Sequence, residues 1–195
     1  MTAVALVPAA GESRRMGFDK TRRLLGGMPL LARSVRRLAD TAAFSDIIVA
    51  VSPGAEEEVV AQVLKPYGLG DLARVVAGGV TRVDSVWHAL RAVRGTPEIV
   101  AVHDGARPFV SDAAVLRSLD AAREHGGAVV ALRVVPTIKV VDERECVVAT
   151  PDRCTLWAAA TPQSFRYREF VAAFERFWAS GVEPATLTDD AQIFE

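Results

Sequence analysis

The order of its predicted elements restricts the fold of this chain more than any other feature of the sequence. Short apolar segments alternate with amphipathic ones along most of its length. We predict strands over Val4–Pro8, Asp46–Val51, Arg74–Ala77, Ile99–His103 and Ala128–Leu132. We predict helices over Pro29–Asp40, Ala55–Leu64, Asp84–Val93, and from an N-cap at Ser111 to His125. Strands that alternate with helices form a mainly parallel sheet with helices on both faces, which is an α/β, Rossmann-like fold.

A different pattern begins after Leu132. The short apolar segments Ile138–Val141 and Val147–Thr150 flank a charged turn, which is typical of a hairpin. We interpret residues 136–162 as a β-arm that projects from the domain. The amphipathic segment Tyr167–Ser180 predicts a further helix. Because 195 residues suffice for one well-covered core and no linker divides them, we predict a single domain over residues 1–195.

Composition restricts the classes of function. The formal net charge of −1 disfavours general nucleic-acid binding, although basic residues are concentrated between Arg14 and Arg37. Such a local concentration suits a small anionic ligand. No apolar segment has the length of a membrane span, and Cys146 and Cys154 are too few for a disulfide framework. We therefore expect a cytoplasmic protein with reduced thiols.

The loop after the first predicted strand carries the first indication of chemistry. Within Gly11–Lys20, a glycine lets backbone N–H groups approach a phosphate, and Arg15 and Lys20 contribute positive charge. The loop lacks the spacing of a Walker-type phosphate loop and of a dinucleotide-binding turn. Taken alone, it is equally compatible with a solvated basic turn.

Two more polar loops follow predicted strands. Gly78–Ser85 begins with two glycines and offers the hydroxyl of Ser85, or it is an ordinary capped turn before a helix. In Asp104–Pro108, the Asp104 carboxylate can hold Mg²⁺ and Arg107 can bind a phosphate, or Asp104 simply caps the turn. All three loops follow strands of one sheet at the edge where such folds bind ligands. Together they predict a nucleotide-phosphate site.

An ordered set of short motifs links these loops to a known family. The motifs are Pro8-Ala9-Ala10-Gly11, Arg15-Met16-Gly17, Lys20, Gly26-Gly27-Met28-Pro29-Leu30, Gly78-Gly79, Arg82-Val83-Asp84-Ser85, His103-Asp104-Gly105-Ala106-Arg107-Pro108 and Thr161-Pro162-Gln163. In this order the chain resembles the 2-C-methyl-D-erythritol 4-phosphate cytidylyltransferases of the non-mevalonate isoprenoid pathway. The opening motif alone would indicate only a nucleotidyltransferase.

The resemblance implies a reaction and a set of site residues. CTP and 2-C-methyl-D-erythritol 4-phosphate would give the CDP-alcohol and pyrophosphate, with Mg²⁺ as cofactor. The resemblance assigns Arg15 and Lys20 to catalysis, where they would stabilise charge on the α-phosphate. Asp104 would bind the metal or the ribose side of the site, and Arg107 would lie beside the sugar-phosphate. The implied nucleotide-binding residues are Pro8, Ala9, Ala10, Gly11, Gly79, Ser85 and Gly105.

The resemblance also implies a homodimer. In the family, the arm of one subunit completes the active site of its partner. Thr137 and Arg153 are thus expected to hold the methylerythritol phosphate in trans, and Thr161 and Thr188 to support that pocket. Relatives continue with a further strand, a substrate-binding lysine and a closing helix, so we expect this C-terminal segment to be missing from the sequence.

Two other functions are compatible with the same motifs. A related cytidylyltransferase that acts on another polyol phosphate, such as ribitol 5-phosphate, would use the same cytidine-side loops. A non-catalytic nucleotide-binding protein could keep the fold without the reaction. In the leading interpretation the partners are CTP, a polyol phosphate and a second copy of the chain, with no nucleic acid and no membrane.

Overall fold

A six-stranded sheet lies at the centre of the computed structural model, which describes residues 2–11 and 20–195. The strands are β1 (Ala3–Pro8), β2 (Leu24–Leu25), β3 (Met28–Pro29), β4 (Asp46–Val51), β5 (Arg74–Ala77), β6 (Ile99–Val102), β7 (Gly127–Arg133), β8 (Val140–Val141), β9 (Val147–Ala149) and β10 (Trp157–Arg166). The helices are α1 (Leu30–Asp40), α2 (Glu56–Glu58), α3 (Arg82–Arg91), α4 (Asp112–His125), α5 (Tyr167–Ser180) and α6 (Ala191–Phe194). In the part of the chain so described, no helix is both long and apolar enough to cross a membrane.

The strand order is β5-β4-β1-β6-β10-β7. The first four strands of this order are parallel, and β10 is antiparallel to both of its neighbours. The chain passes from β1 outward to β4 and β5, then returns across β1 to form β6 on its other side. A crevice forms outside the carboxyl ends of the strands at such a reversal of order. The predicted mainly parallel α/β fold is confirmed.

Alternation along β1 divides the core into two layers. Ala5 and Val7 belong to the buried cluster that includes the apolar faces of α1 and α4. Val4 and Leu6 belong to the cluster formed with α3 and α5. Successive side chains of a strand point to opposite faces, so a strand covered on both faces is apolar at every position. This double burial fixes the carboxyl end of β1, where the first polar loop begins.

The helix predictions agree with the structure in place and length, with one shift and one change of type. Helix α3 begins at Arg82, two residues before the predicted start, because Thr81 and Asp84 form a capping box. The Thr81 hydroxyl accepts from the Asp84 N–H at 3.1 Å, and the Asp84 carboxylate accepts from the Thr81 N–H at 2.8 Å. The predicted helix after β4 is α2 followed by a π-helical segment, Val59–Leu64.

Strand β10 was not predicted, because its sequence combines a run of alanines with Pro162, a residue that usually excludes a central strand. The β10 pairing with β7 is interrupted between Ala159 and Gln163, and the Thr161–Pro162 peptide bond is cis. The first residues of β10 fall within the range 136–162 that we interpret as the arm. Between β7 and β10 the chain forms the predicted hairpin of β8 and β9.

Candidate functional site

A cleft of about 560 Å³ lies at the carboxyl ends of the parallel strands. All three polar loops contribute to it, to the extent that the structure describes them. Its lining comprises Pro8, Ala9, Ala10, Gly11, Lys20, Thr21, Gly79, Val80, Thr81, Arg82, Ser85, Asp104, Gly105, Ala106 and Arg107. The structure thus brings together every nucleotide-binding residue expected from the sequence, along with Lys20, Asp104 and Arg107. The other expected catalytic residue, Arg15, lies outside the described residues.

Glycines keep the floor of the cleft open. A Cβ on Gly78 would lie 2.7 Å from the Ala10 Cβ and 3.0 Å from the Val51 carbonyl oxygen. A Cβ on Gly105 would lie 3.2 Å from the Ala9 Cβ and 3.4 Å from the Pro8 carbonyl oxygen. The loops after β1, β5 and β6 therefore pack too closely to admit a side chain at either glycine, and Gly105 itself lines the cleft.

Gly78→Ala is expected to destabilise the fold by about 1–3 kcal/mol and to weaken nucleotide binding, because an added methyl group must push the first two loops apart. Urea unfolding measures the first effect, and calorimetry with CTP measures the second. Gly70→Ala is the matched control for crowding away from the cleft: its Cβ would lie 2.7 Å from the Lys65 Cγ, so we expect a loss of stability with wild-type CTP affinity. Wild-type stability and CTP affinity in Gly78→Ala would contradict this packing argument.

Ser85 holds the second loop in shape. Its hydroxyl accepts from the Gly79 N–H at 3.1 Å and donates to the Thr81 carbonyl oxygen at 3.0 Å. The side chain is buried although it lines the cleft. Both hydrogen bonds close the turn between β5 and α3, so the hydroxyl that the sequence offered to a ligand also orders the glycines beside it.

Asp104 lies between two arginines. Its Oδ1 accepts from Arg82 Nε at 3.3 Å and Nη2 at 3.1 Å, and its Oδ2 accepts from Arg107 Nε at 2.8 Å. Arg82 also makes a bidentate ion pair with Asp190, in which both N–O distances are 2.8 Å. Two guanidinium groups and two carboxylates thus form one cluster whose formal charges balance, at the boundary of the cleft.

Burial and ion pairing act in opposite directions on the pKa values of this cluster. Burial disfavours the charged form of Asp104, but Arg82 and Arg107 outweigh it and hold the pKa of that carboxyl below its usual value. At Asp190 burial dominates and raises the pKa, against the attraction of Arg82. Burial likewise disfavours the charge of Arg82, yet the two carboxylates raise its pKa. Asp104 is consequently ionised and accepts hydrogen bonds only.

A second cavity of about 260 Å³ adjoins the cleft and shares Arg82, Asp104 and Arg107 with it. Its remaining lining residues come from β10 and the C-terminal segment: Ala159, Ala160, Thr161, Gln163, Thr188 and Asp189. The structure thus brings the two threonines expected to support the acceptor pocket next to Asp104 and Arg107. Asp104 therefore lines both cavities.

A chain of hydrogen bonds ties the third loop to β10. The Arg107 carbonyl oxygen can only accept, so the His103 Nε2 at 2.9 Å from it carries the proton. The His103 Nδ1 then accepts from the Thr161 hydroxyl at 3.0 Å, and the Thr161 oxygen accepts from the Asp104 N–H at 3.3 Å. Burial lowers the pKa of His103, which keeps the ring neutral as this arrangement requires. Thr161 therefore fixes the backbone of Asp104.

Two expected acceptor-binding residues, Thr137 and Arg153, lie on the arm and line neither cavity of their own chain. Both are exposed, and Arg153 Nη1 donates to the Val135 carbonyl oxygen at 2.9 Å. Within one chain the structure does not bring them to Asp104. A role in binding would require the arm of another subunit.

The residues present are compatible with a magnesium site that relies on the substrate. No cluster of three or more His, Cys, Asp or Glu side chains occurs among residues 2–11 and 20–195. Mg²⁺ keeps several waters and commonly uses one or two carboxylates together with substrate phosphates. Asp104 supplies one carboxylate. Its Oδ2 accepts one N–H from the described part of the chain, and a carboxylate oxygen has a second lone pair with which to bind a cation.

Sequence reasoning missed two members of the charged cluster, Arg82 and Asp190. Arg82 was noted only as part of a motif, and Asp190 was assigned no role. The two residues are 108 positions apart, so no local spacing indicates their contact. The sequence contained one indication of this contact: the adjacent acidic residues Asp189 and Asp190 lie close to the apolar residues Ile193 and Phe194.

Comparisons with known proteins agree over the whole chain. The model of the family described as 2-C-methyl-D-erythritol 4-phosphate cytidylyltransferase matches residues 3–195. A protein of that name from Geobacter metallireducens is 40% identical over 200 residues, which covers 100% of this chain and 84% of the relative. One from Symbiobacterium thermophilum is 42% identical over 192 residues, which covers 97% of this chain and 78% of the relative.

Solved structures show the same likeness. The 2-C-methyl-D-erythritol 4-phosphate cytidylyltransferase from Thermus thermophilus has a TM-score of 0.79 and 34% identity, covering 100% of this chain and 83% of the other. The 4-diphosphocytidyl-2C-methyl-D-erythritol synthase from Anaerococcus prevotii has a TM-score of 0.84 and 28% identity, covering 99% and 82%. Both structures are therefore similar to this chain over nearly its whole length.

Proposed function

Because this chain belongs to the 2-C-methyl-D-erythritol 4-phosphate cytidylyltransferase family, we propose that it transfers CMP from CTP to 2-C-methyl-D-erythritol 4-phosphate and releases pyrophosphate. The observation that carries the proposal is the cleft at the carboxyl ends of β1, β5 and β6, which combines a glycine floor with positive charge. A nucleoside triphosphate needs both features, since its phosphates must approach the backbone closely and its negative charge must be balanced.

The reaction is a displacement at the α-phosphorus of CTP. A phosphate oxygen of the acceptor forms the new bond, and the bond from the α-phosphorus to the bridging oxygen of pyrophosphate breaks. In the transition state, negative charge is spread over the equatorial oxygens of the phosphoryl group being transferred, with the attacking and leaving oxygens in line. Lys20 lines the cleft that would receive the triphosphate. The resemblance assigns to Lys20 and Arg15 the stabilisation of this negative charge. Fixed cations contribute most where charge develops during the reaction.

Selection of the nucleotide is assigned to the floor of the cleft. The segment Pro8–Gly11, with Gly79 and Gly105, presents backbone groups and small side chains, which suits a planar base and its ribose. Ser85 orders this surface through its bonds to the loop. Mg²⁺, as cofactor, would be held by Asp104 and the triphosphate, where it supplies neutralisation of phosphate charge.

The acceptor is assigned to the smaller cavity. Arg107 is about half exposed, with a side-chain accessibility of 51%, and can turn toward a phosphate. Thr161 and Thr188 line this cavity and would support its wall. The Thr161 hydroxyl fixes Asp104 through the hydrogen bonds described above, and the Thr188 hydroxyl donates to Gln192 Oε1 at 3.1 Å. Asp104, between the two cavities, is placed to orient both substrates toward each other.

A homodimer explains the surface of the arm. Within residues 136–162, Val141, Val147, Val148 and Trp157 leave 50%, 60%, 60% and 53% of their surface exposed. An isolated two-stranded hairpin is marginally stable in water, and several exposed apolar side chains in one segment favour an interface there. The occupant we propose is a second copy of the chain, whose arm would carry Thr137 and Arg153 to the acceptor cavity.

A direct assay tests the function. The protein is incubated with Mg²⁺, CTP and 2-C-methyl-D-erythritol 4-phosphate, and pyrophosphate release is measured; we expect turnover well above background. Ribitol 5-phosphate is the matched control acceptor, and we expect it to compete weakly and to react slowly. A preference for ribitol 5-phosphate would identify the protein as a cytidylyltransferase for a different polyol phosphate. CTP binding without turnover of either acceptor would identify it as a non-catalytic nucleotide-binding protein.

We also propose a cytoplasmic location. Cys146 and Cys154 are free and exposed, which is compatible with a reducing compartment. CTP, the nucleotide that the proposed reaction consumes, is available there.

A further inference from the structure

The charged cluster contains one member that is closed off from both cavities. Asp190 has a relative exposure of 0%, whereas Asp104 and Arg107 line the cavities. An ionised carboxylate is costly to bury unless it is paired and hydrogen-bonded. Among the described residues, Asp190 satisfies this condition through Arg82, which donates one N–H to each carboxylate oxygen at 2.8 Å.

The bidentate pair fixes the plane of the Arg82 guanidinium. A guanidinium is rigid, so holding one of its edges sets the direction of the others. The edge formed by Nε and Nη2 faces Asp104 Oδ1, at 3.3 and 3.1 Å. Arg82 is also fixed at its backbone, because it is the first residue of α3 and lies within the capping box formed by Thr81 and Asp84.

Asp190 is itself held by β10. The Gln163 Oε1 accepts from the Asp190 and Ala191 N–H groups, each at 3.0 Å, and Gln163 Nε2 donates to Asp189 Oδ2 at 3.1 Å. Gln163 is buried, with 2% of its surface exposed. Rigid contacts therefore run without a break from β10 through Asp190 and Arg82 to Asp104.

We propose that Asp190 is a positioning residue: it orients the Asp104 carboxylate through Arg82, and the C-terminal segment thereby sets the geometry of the cleft. The proposal rests on the proposed function, in which Asp104 contacts the substrates. The proposal gives the two arginines of the cluster different roles. Arg82 is committed to structure by its buried partner, and the more exposed Arg107 remains available to a phosphate.

A double-mutant cycle of Asp190→Asn with Asp104→Asn tests this role, because a residue that acts through another loses its effect when the other is removed. We expect Asp190→Asn to lower kcat/KM by about 10-fold or more for at least one substrate, the scale found for residues that orient a functional group. In the Asp104→Asn background the same change should alter kcat/KM by less than about twofold. Arg82→Lys keeps the charge but not the planar guanidinium, so it should lower kcat/KM by a similar factor. If Asp190→Asn does not fold, Arg82→Lys takes its place in the cycle.

Ile193→Ala is the matched control for simple loosening of the segment. The Ile193 side chain is buried in α6 and belongs to the apolar core, not to the charged cluster. We expect this change to lower the melting temperature and to leave kcat/KM within about twofold of wild type. Equal factors for Asp190→Asn in both backgrounds, no loss in the wild-type background, or an equal loss in Ile193→Ala would each overturn the proposal. If Asp104→Asn alone has no effect, the assignment of Asp104 in the proposed function is wrong and the positioning role is overturned with it.

Discussion

Replacing Lys20 with alanine is expected to lower kcat by about 100-fold or more, because the variant loses a fixed positive charge beside the phosphorus that reacts. Lys20 begins the short 3₁₀ helix Lys20–Arg22, which places its side chain at the rim of the cleft. KM for CTP should change much less, since an interaction that is stronger in the transition state than in the bound substrate affects kcat rather than KM. Steady-state pyrophosphate release with each substrate varied in turn separates the two effects.

Lys65→Ala is the matched control for this prediction. Lys65 also begins a short 3₁₀ helix, Lys65–Tyr67, but it is exposed and lies outside the cleft. Its removal should leave kcat unchanged. Lys20→Arg should recover part of the activity, because it restores the charge with a different shape. A kcat near that of wild type in Lys20→Ala would show that another cation stabilises the α-phosphate.

The features that could be predicted from the sequence depend on residues that are close together along the chain. Continuous apolar runs identified β1, β4 and β6, since a strand buried on both faces has almost no polar position. The edge strand β5 is only half-buried, and its short β-branched run identified it. The three polar loops were assigned to one edge of the sheet because the carboxyl ends of parallel strands meet there. Among the described residues the structure brings those loops together around one cleft.

The missed features depend on contacts between distant parts of the chain. Strand β10 lies between β6 and β7: its second half pairs with both neighbours, whereas Ala158 and Ala159 pair with β7 alone. Neither half is recognisable as a strand without these partners. The pairing of Arg82 with Asp190 likewise requires α3 and the C-terminal segment to meet. The role of Ser85 was only partly visible, because its spacing from Gly79 does not show which way the hydroxyl points. Arg15 remains a prediction from the resemblance.

The prediction with the second large effect concerns the arm. Lys20→Ala and Arg153→Ala are each expected to be nearly inactive as separate preparations, the first for lack of the cleft cation and the second for lack of a phosphate contact. After subunit exchange, half of the dimers contain one copy of each variant. If the arm completes the partner's site, every mixed dimer has one site with both residues intact. The mixture should then recover up to about a quarter of wild-type activity.

Mixing Lys20→Ala with Arg107→Ala is the control, because both changes lie in the cleft of their own chain. In those mixed dimers each cleft carries one defect, so activity should stay at the level of the separate variants. Exchange is verified by two affinity tags, and activity is measured as pyrophosphate release. Recovery only with Arg153→Ala would place Arg153 in the partner's site. This agrees with the structure of one chain, in which Arg153 lines neither cavity. Absence of recovery despite complete exchange would restrict each site to a single chain, and the exposed apolar surface of the arm would then need another partner.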